Sequence, residues 1–171
     1  LLFPKAKQVG LSPIQIQILI FIAYHKQGLC NVSHLAKEFN VTKPTISDAI
    51  KVLDKKKMIV KDYSPADSRS YNILLSELGQ QIVSETNDFA EPVKGLLHQF
   101  NDSTLDDLFN TISQLIFKLN QTGILNVQRT CYGCRFYHPK EEMHFCTLLQ
   151  KELLNKDIRL DCLEYQEKDA D

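Results

Sequence analysis

The chain has 171 residues, is 43% hydrophobic and 24% charged, and carries a formal net charge of −1. This is the composition of an ordinary globular protein with room for one domain and a small appendage. The near-zero charge excludes a polycation, so any nucleic-acid surface has to come from local charge.

The chain does not begin with Met, which leaves room for an upstream segment, and its opening carries no signal-peptide pattern, so a cytoplasmic location is expected. Ser12-Pro13 reads as a helix start, with Ser12 as N-cap and Pro13 at the first helical position. The run Ile14–Tyr24 alternates isoleucines like a strand, but its length and its cap point to a helix apolar nearly all round, hence buried. Gln15 and Gln17 interrupt it, and it is shorter than the roughly 20 residues a bilayer span needs, so no membrane association is expected.

A second helix is expected over Ser33–Phe39, where Val32, Leu35, Ala36 and Phe39 are spaced i, i+3, i+4, i+7. After the turn at Asn40-Val41, Thr42 caps a third helix that runs to about Lys56, with Ile46, Ala49, Ile50 and Leu53 on one stripe and Thr45, Ser47, Asp48, Lys51 and Lys55 on the other side. Met58–Tyr63 and Tyr71–Leu75 read as two strands around the turn-forming stretch Ser64–Ser70, a hairpin with an exposed tip. Ser76-Glu77-Leu78-Gly79 opens a long helical region to about Phe100, kinked by Pro92. Asp102 or Ser103 caps a further helix to about Asn120, whose broad apolar face runs from Leu105 to Leu119 and exceeds what a domain this size can bury alone.

Helix, short helix, tight turn, polar-faced helix and hairpin is the layout of a winged helix-turn-helix. Short hydroxyl side chains at a helix start reach phosphates and base edges, and the helix N-terminus favours phosphate. Lys43, Lys51, Lys55, Lys56, Lys57 and Lys61 concentrate positive charge there, against only Asp48 and Asp54.

These pieces resemble the MarR family of bacterial regulators over Leu11 to about Leu119. The resemblance is carried by the Val32–Phe39 helix, by Val41-Thr42-Lys43-Pro44-Thr45-Ile46-Ser47, by Leu53-Asp54-Lys55-Lys56, by the wing Ala66-Asp67-Ser68-Arg69-Ser70, and by Leu75-Ser76-Glu77-Leu78-Gly79. It implies a homodimer on double-stranded DNA, formed by the first and last two helices. It places Thr42, Lys43, Pro44, Thr45, Ser47, Asp48, Lys51 and Lys55 at the major groove, Arg69 at the minor groove, and Asp67 holding the wing. Two positions depart from the family: Lys57 stands where Gly is common, implying a left-handed residue or a different helix end, and Asp48 stands where a basic or larger polar residue is common, implying contact with a cytosine amino group or pairing with a neighbouring Lys. The helix that precedes Leu11 in the family is reduced to Leu1–Gly10.

Five cysteines occur, four of them in the last quarter: Cys131-x-x-Cys134, then Cys146 and Cys162. In a reducing compartment such clustering points to metal more than to disulfides. The Cys-x-x-Cys turn, with Gly133 inside it, forms a knuckle that aims two thiolates at one ion, and two further cysteines complete a tetrahedral set. Zinc is the first expectation and an iron–sulfur cluster the alternative. His138 and His144 are read as supporting or exposed groups. Phe145, Leu148, Leu149, Leu153 and Leu154 suggest a short amphipathic helix starting near Cys146, with Tyr132, Phe136, Tyr137 and Tyr165 packing around the centre. Cys30 reads as a small buried hydrophobe.

The fold class expected is mainly α with a small β-hairpin wing. Residues 1–10 would be a dimerisation remnant, 11–76 the DNA-binding domain, 77–122 dimerisation helices and 123–171 the four-cysteine, metal-bound module. No nucleophile–base set or phosphate-binding glycine loop occurs, so no enzymatic activity is expected. The function expected is transcriptional regulation with a possible small-molecule effector. Two alternatives stand beside it: a regulator sensing redox or iron through a cluster, and a winged-helix interaction subunit without its own operator.

Overall fold

A computed structural model describes residues 2–64, 67–140 and 143–168; the side chains of residues 64–70 and 140 lie outside what it describes. The chain forms two compact units, one ending at Leu96 and one beginning at Leu97.

The first unit opens with α1 (Leu2–Gln8) and α2 (Pro13–Tyr24). Pro13 opens α2 as expected, and the cap runs through Gln15, whose Oε1 accepts the Ser12 N–H at 2.9 Å. Ile16, Ile18 and Leu19 are fully buried, so the isoleucine-rich run is a core helix. No single helix among the described residues is long and apolar enough to cross a membrane; α1 and α2 pass that test only together, across a 94° bend.

Helix α3 spans Val32–Glu38, starting one residue before the expected Ser33 because Asn31, not Ser33, caps it: Asn31 Oδ1 accepts the His34 N–H at 2.9 Å. Its end explains the Asn40-Val41 turn. Asn40 takes a left-handed φ of 50°, its N–H reaches Lys37 O at 3.2 Å, and the Val41 N–H reaches Ala36 O at 3.0 Å, the paired bonds of a Schellman close. Helix α4 (Lys43–Lys55) follows and ends the same way. Lys57 has φ 60°, with Lys57 N–H to Asp54 O at 2.9 Å and Met58 N–H to Leu53 O at 3.0 Å. The departure at Lys57 therefore resolves as a left-handed lysine.

Strands β1 (Ile59–Ser64) and β2 (Asp67–Leu75) pair antiparallel, from Ile59 opposite Leu75 to Tyr63 opposite Tyr71, with an irregularity before Ser64 opposite Asp67. The second strand is longer than the expected Tyr71–Leu75: residues 67–70, assigned by composition to a turn, belong to β2, and Asp67 pairs with Ser64 across the irregularity. The Ile73 N–H also donates to Cys30 O at 2.8 Å, tying the hairpin base to the turn before α3.

Ser76 caps α5 (Glu77–Thr86), accepting the Gly79 N–H at 3.1 Å while its own hydroxyl donates to Lys57 O at 2.6 Å. A Cβ on Gly79 would stand 2.0 Å from Met58 O, so glycine is required for this helix to meet the start of β1. The expected long helix to Phe100 is interrupted. A 3-10 turn at Asn87–Ala90 separates α5 from α6 (Glu91–Leu97). The break lies before Pro92, which sits in the first turn of α6, where its missing N–H costs nothing. The unit's core runs through every element from α1 to α5, from Ala6 to Val83.

The second unit begins with α7 (Asp102–Gln121), capped by Asn101 rather than Asp102 or Ser103, and closed by Gly123 at φ 74°. A 3-10 turn at Cys131–Gly133 leads into β3 (Tyr137–Lys140), β4 (Met143–Cys146) and β5 (Lys151–Leu153), an antiparallel sheet in that order. This corrects the helix expected from Cys146. Leu148, Leu149 and Leu154 fit a helical spacing, yet they are exposed and only Leu153 is buried. The fold is thus mainly α with the hairpin wing, and the C-terminal module is built on a second small sheet.

Candidate functional site

Helix α4 divides as its sequence pattern requires. Ile46, Ala49, Ile50 and Leu53 face the core, while Thr42, Lys43, Pro44, Thr45, Asp48, Lys51 and Lys55 are exposed and Ser47 is half-buried. At its start the Thr45 N–H donates to Thr42 Oγ1 at 3.3 Å, and the two threonine hydroxyls meet at 2.8 Å. Two hydroxyls and Lys43 therefore surround an exposed, electropositive helix end.

The lysines expected to form one basic surface divide into two groups. Lys51 pairs with Asp48 at 2.8 Å, Lys61 with Asp54 at 2.7 Å, and Lys56 donates to Gly10 O at 2.7 Å. Asp48 thus has the lysine partner that was one of its two readings. The hydrogen bond from Lys61 holds the Asp54 carboxyl below its ordinary range, and the same bond raises Lys61. Lys43 and Lys55 remain exposed, with no ion pair among the described residues. Asp67 lies on β2 opposite Ser64 and Arg69 follows on the same strand, but both side chains lie outside the described residues.

An open cleft of about 470 Å³ lies in this unit between the end of α2, the base of β2 and α5, lined among others by Tyr24, His25, Cys30, Ile73 and Val83. Cys30 is 1% exposed, its thiol donates to Lys26 O at 3.5 Å, and burial pushes its pKa up; it behaves as the buried small residue expected.

In the second unit, Cys131, Cys134, Cys146 and Cys162 line a single cavity of about 50 Å³. Their convergence over a long stretch of chain has identifiable causes. The Cys131–Gly133 turn is closed by the Cys134 N–H on Cys131 O at 2.9 Å. Tyr137 N–H bonds to Cys134 O at 3.0 Å and β3 pairs Tyr137 with Cys146, which brings the third cysteine beside the turn. The returning chain bonds Cys131 N–H to Arg159 O at 3.0 Å and Cys162 N–H to Arg129 O at 3.0 Å, which brings the fourth. All four thiols are free. They line the wall without forming a closed ligand set: among the described residues no three or more His, Cys, Asp or Glu side chains are gathered as metal ligands.

Burial pushes the Cys131 thiol up; the Arg159 N–H, 3.3 Å from its sulfur, opposes this, and Cys162, Cys134 and Cys146 add to it as neighbouring negative charges would. Tyr132, Phe136 and Tyr165 pack on the buried group that includes Tyr137, as expected, and burial raises Tyr137 and Tyr165 to about 12. His144 Nδ1 contacts Tyr137 Oη at 2.6 Å and does not line the cavity.

Sequence reasoning missed Gln128. Its Oε1 accepts Thr130 N–H at 2.9 Å and Thr130 Oγ1 at 2.7 Å, and its Nε2 donates to Tyr165 Oη at 2.8 Å. A Cβ on Gly133 would stand 2.0 Å from that Nε2, so the glycine of the knuckle makes room for this amide. The only sequence signal was Gly133 itself.

The MarR family model matches residues 9–70, the span from α2 through most of the wing. Over these residues the chain is similar to the MarR family. Among solved structures, MepR of S. aureus in complex with DNA matches at 24% identity and TM-score 0.59, covering 69% of this chain and 86% of that one. MepR in its DNA-binding conformation matches at 25% identity and TM-score 0.58, covering 68% and 85%. A MarR/EmrR family transcriptional regulator from Acinetobacter sp. ADP1 matches at 27% identity and TM-score 0.58, covering 70% and 84%. The search of curated proteins returned no match. The MarR winged helix thus accounts for the N-terminal fold, and the family match ends at residue 70, before the cysteine module.

Proposed function

We propose that the protein is a homodimeric transcriptional regulator that binds double-stranded DNA, with α4 in the major groove and the wing at the minor groove. The observation that carries this reading is the outward face of α4, where Thr42, Lys43, Pro44, Thr45, Ser47, Lys51 and Lys55 lie along one exposed or half-exposed helix surface in a stretch similar to the MarR family. Hydroxyls at the helix start suit phosphate and base-edge contacts, and Lys43 and Lys55 supply charge not spent inside the chain. Similar structures include a protein bound to DNA and a transcriptional regulator. Asp67 and Arg69 would hold and extend the wing into the minor groove.

A second copy of the chain would cover the apolar stripe of α7, where Leu108, Ile112 and Leu115 are all exposed at helical spacing. A small-molecule effector would use the cleft beside Ile73: its volume is in the range of small-ligand pockets, and the base of β2 forms part of its wall.

The test is fluorescence anisotropy with duplexes enriched from a random pool, together with the Arg69→Ala variant. The expected result is a dimer that binds selected duplexes, with the variant still dimeric and weakened about 5- to 150-fold, equivalent to about 1–3 kcal/mol. Failure of the wild-type chain to enrich any duplex, or unchanged affinity in the variant, supports instead an interaction subunit without an operator.

A further inference from the structure

We propose that Cys131, Cys134, Cys146 and Cys162 bind one thiophilic divalent cation of the zinc class, which staples the C-terminal module. The inference is independent of DNA binding and concerns a part of the chain that the MarR-family match does not reach.

Four free thiols line one cavity, the right kind and number for a tetrahedral structural site once an ion draws them together from the wall. The cavity, about 50 Å³, has room for one ion among the four thiols. Other donors at the wall are already engaged. Asp157 accepts the Leu154 N–H at 3.0 Å and pairs with Lys151 at 3.6 Å, and His144, off the wall, is bonded to Tyr137. The Arg159 N–H on the Cys131 sulfur at 3.3 Å is the kind of bond that supports a ligating thiolate from outside the ion's own shell.

The module also needs such an ion. Its buried apolar group among the described residues is Cys131, Cys134, Tyr137, Leu153 and Ile158, so two of the five are the cysteines themselves. Leu148, Leu149, Leu154 and Leu163 are exposed and add nothing to that core. A segment with so small a core is held by a metal or by disulfides, and the thiols here are free. On binding, each thiol loses its proton and forms a metal–sulfur bond, and no electron is transferred.

The full chain, purified under reductant without added metal, is expected to be colourless and to contain about one zinc per chain. Cys131, Cys134, Cys146 and Cys162 should resist alkylation until a chelator is added, whereas the buried Cys30 should not respond to the chelator. Cobalt should replace the ion and give the visible absorption of a tetrahedral thiolate site. Cys146→Ser and Cys162→Ser should each lose the metal, whereas Cys30→Ser should keep it. The wild-type measurement stands whether or not the cysteine variants fold. A brown, iron-containing protein, disulfides among the four cysteines, or a reactivity of those four thiols that does not change on adding zinc or chelator would each overturn the proposal.

Discussion

The two units of this chain solve the same problem with different materials. Among the described residues, the N-terminal unit buries nineteen apolar side chains in one continuous cluster, several of them large aliphatics with no exposed surface. The C-terminal module has a cluster of five, two of them cysteines, against which Phe109 of α7 and four aromatic or sulfur side chains pack. The first can pay for its chain ordering with hydrophobic burial alone; the second has cross-strand hydrogen bonds and thiols but little apolar interior. Function follows the same division. A rigid aliphatic core lets α4 present a fixed outward face, whereas a module held by the proposed ion would be open to metal supply and oxidation.

The largest expected contrast is in what breaks each unit. Leu53→Ala should cost the N-terminal unit about 2–5 kcal/mol, since Leu53 is fully buried beneath the exposed face of α4. Chelation of the proposed ion should instead melt the C-terminal module and leave the N-terminal unit folded. Hydrogen exchange resolved along the chain separates the two: loss of protection in both units on chelation would break the comparison.

A smaller effect concerns the end of α4. Lys57 holds a left-handed backbone at φ 60° in a motif that favours glycine. Lys57→Gly should raise the midpoint of denaturant unfolding by an amount equivalent to about 1 kcal/mol, because a Cβ that crowds the backbone is removed. No gain would show that the unfolded-state entropy of glycine offsets it fully.

The smallest effect is electrostatic. Asp54 is held below the ordinary carboxylate range by Lys61, so the pair's contribution is complete above that range and is lost as pH falls through the depressed value. Lys61 is raised, so its share is complete below the ordinary lysine range and is lost as pH rises through the elevated value. Asp54→Asn should destabilise by less than about 1 kcal/mol near neutral pH, with the difference from wild type vanishing in acid. A difference that persists at low pH would point to lost packing instead.

The sequence was legible wherever structure is local. The caps at Asn101 and Ser12 lay at or within a residue of the expected helix starts, and the buried stripe of α4 follows from spacing alone. It was illegible where distant segments meet. Residues 67–70 have turn composition yet belong to β2, where Asp67 pairs with Ser64 of β1. Leu148, Leu149 and Leu154 mimic a helix face, yet β4 and β5 flank that stretch and leave them exposed. Gly79 and Gln128 matter because of what approaches them, Met58 O and Gly133, and neither approach leaves a mark on nearby sequence. At the candidate interface the residue types, their exposed face and, as one of two readings, a lysine partner for Asp48 were readable, but the engagement of Lys56 and Lys61 was not.

The central claim is that α4 and the wing bind duplex DNA, and the most direct measurement is wild-type affinity for a selected duplex as a function of salt. The account predicts a linear fall of log affinity with log salt, steep enough to release several counterions at about 0.9 per neutralised phosphate. Absence of duplex binding at low salt, or an affinity indifferent to salt, would contradict it.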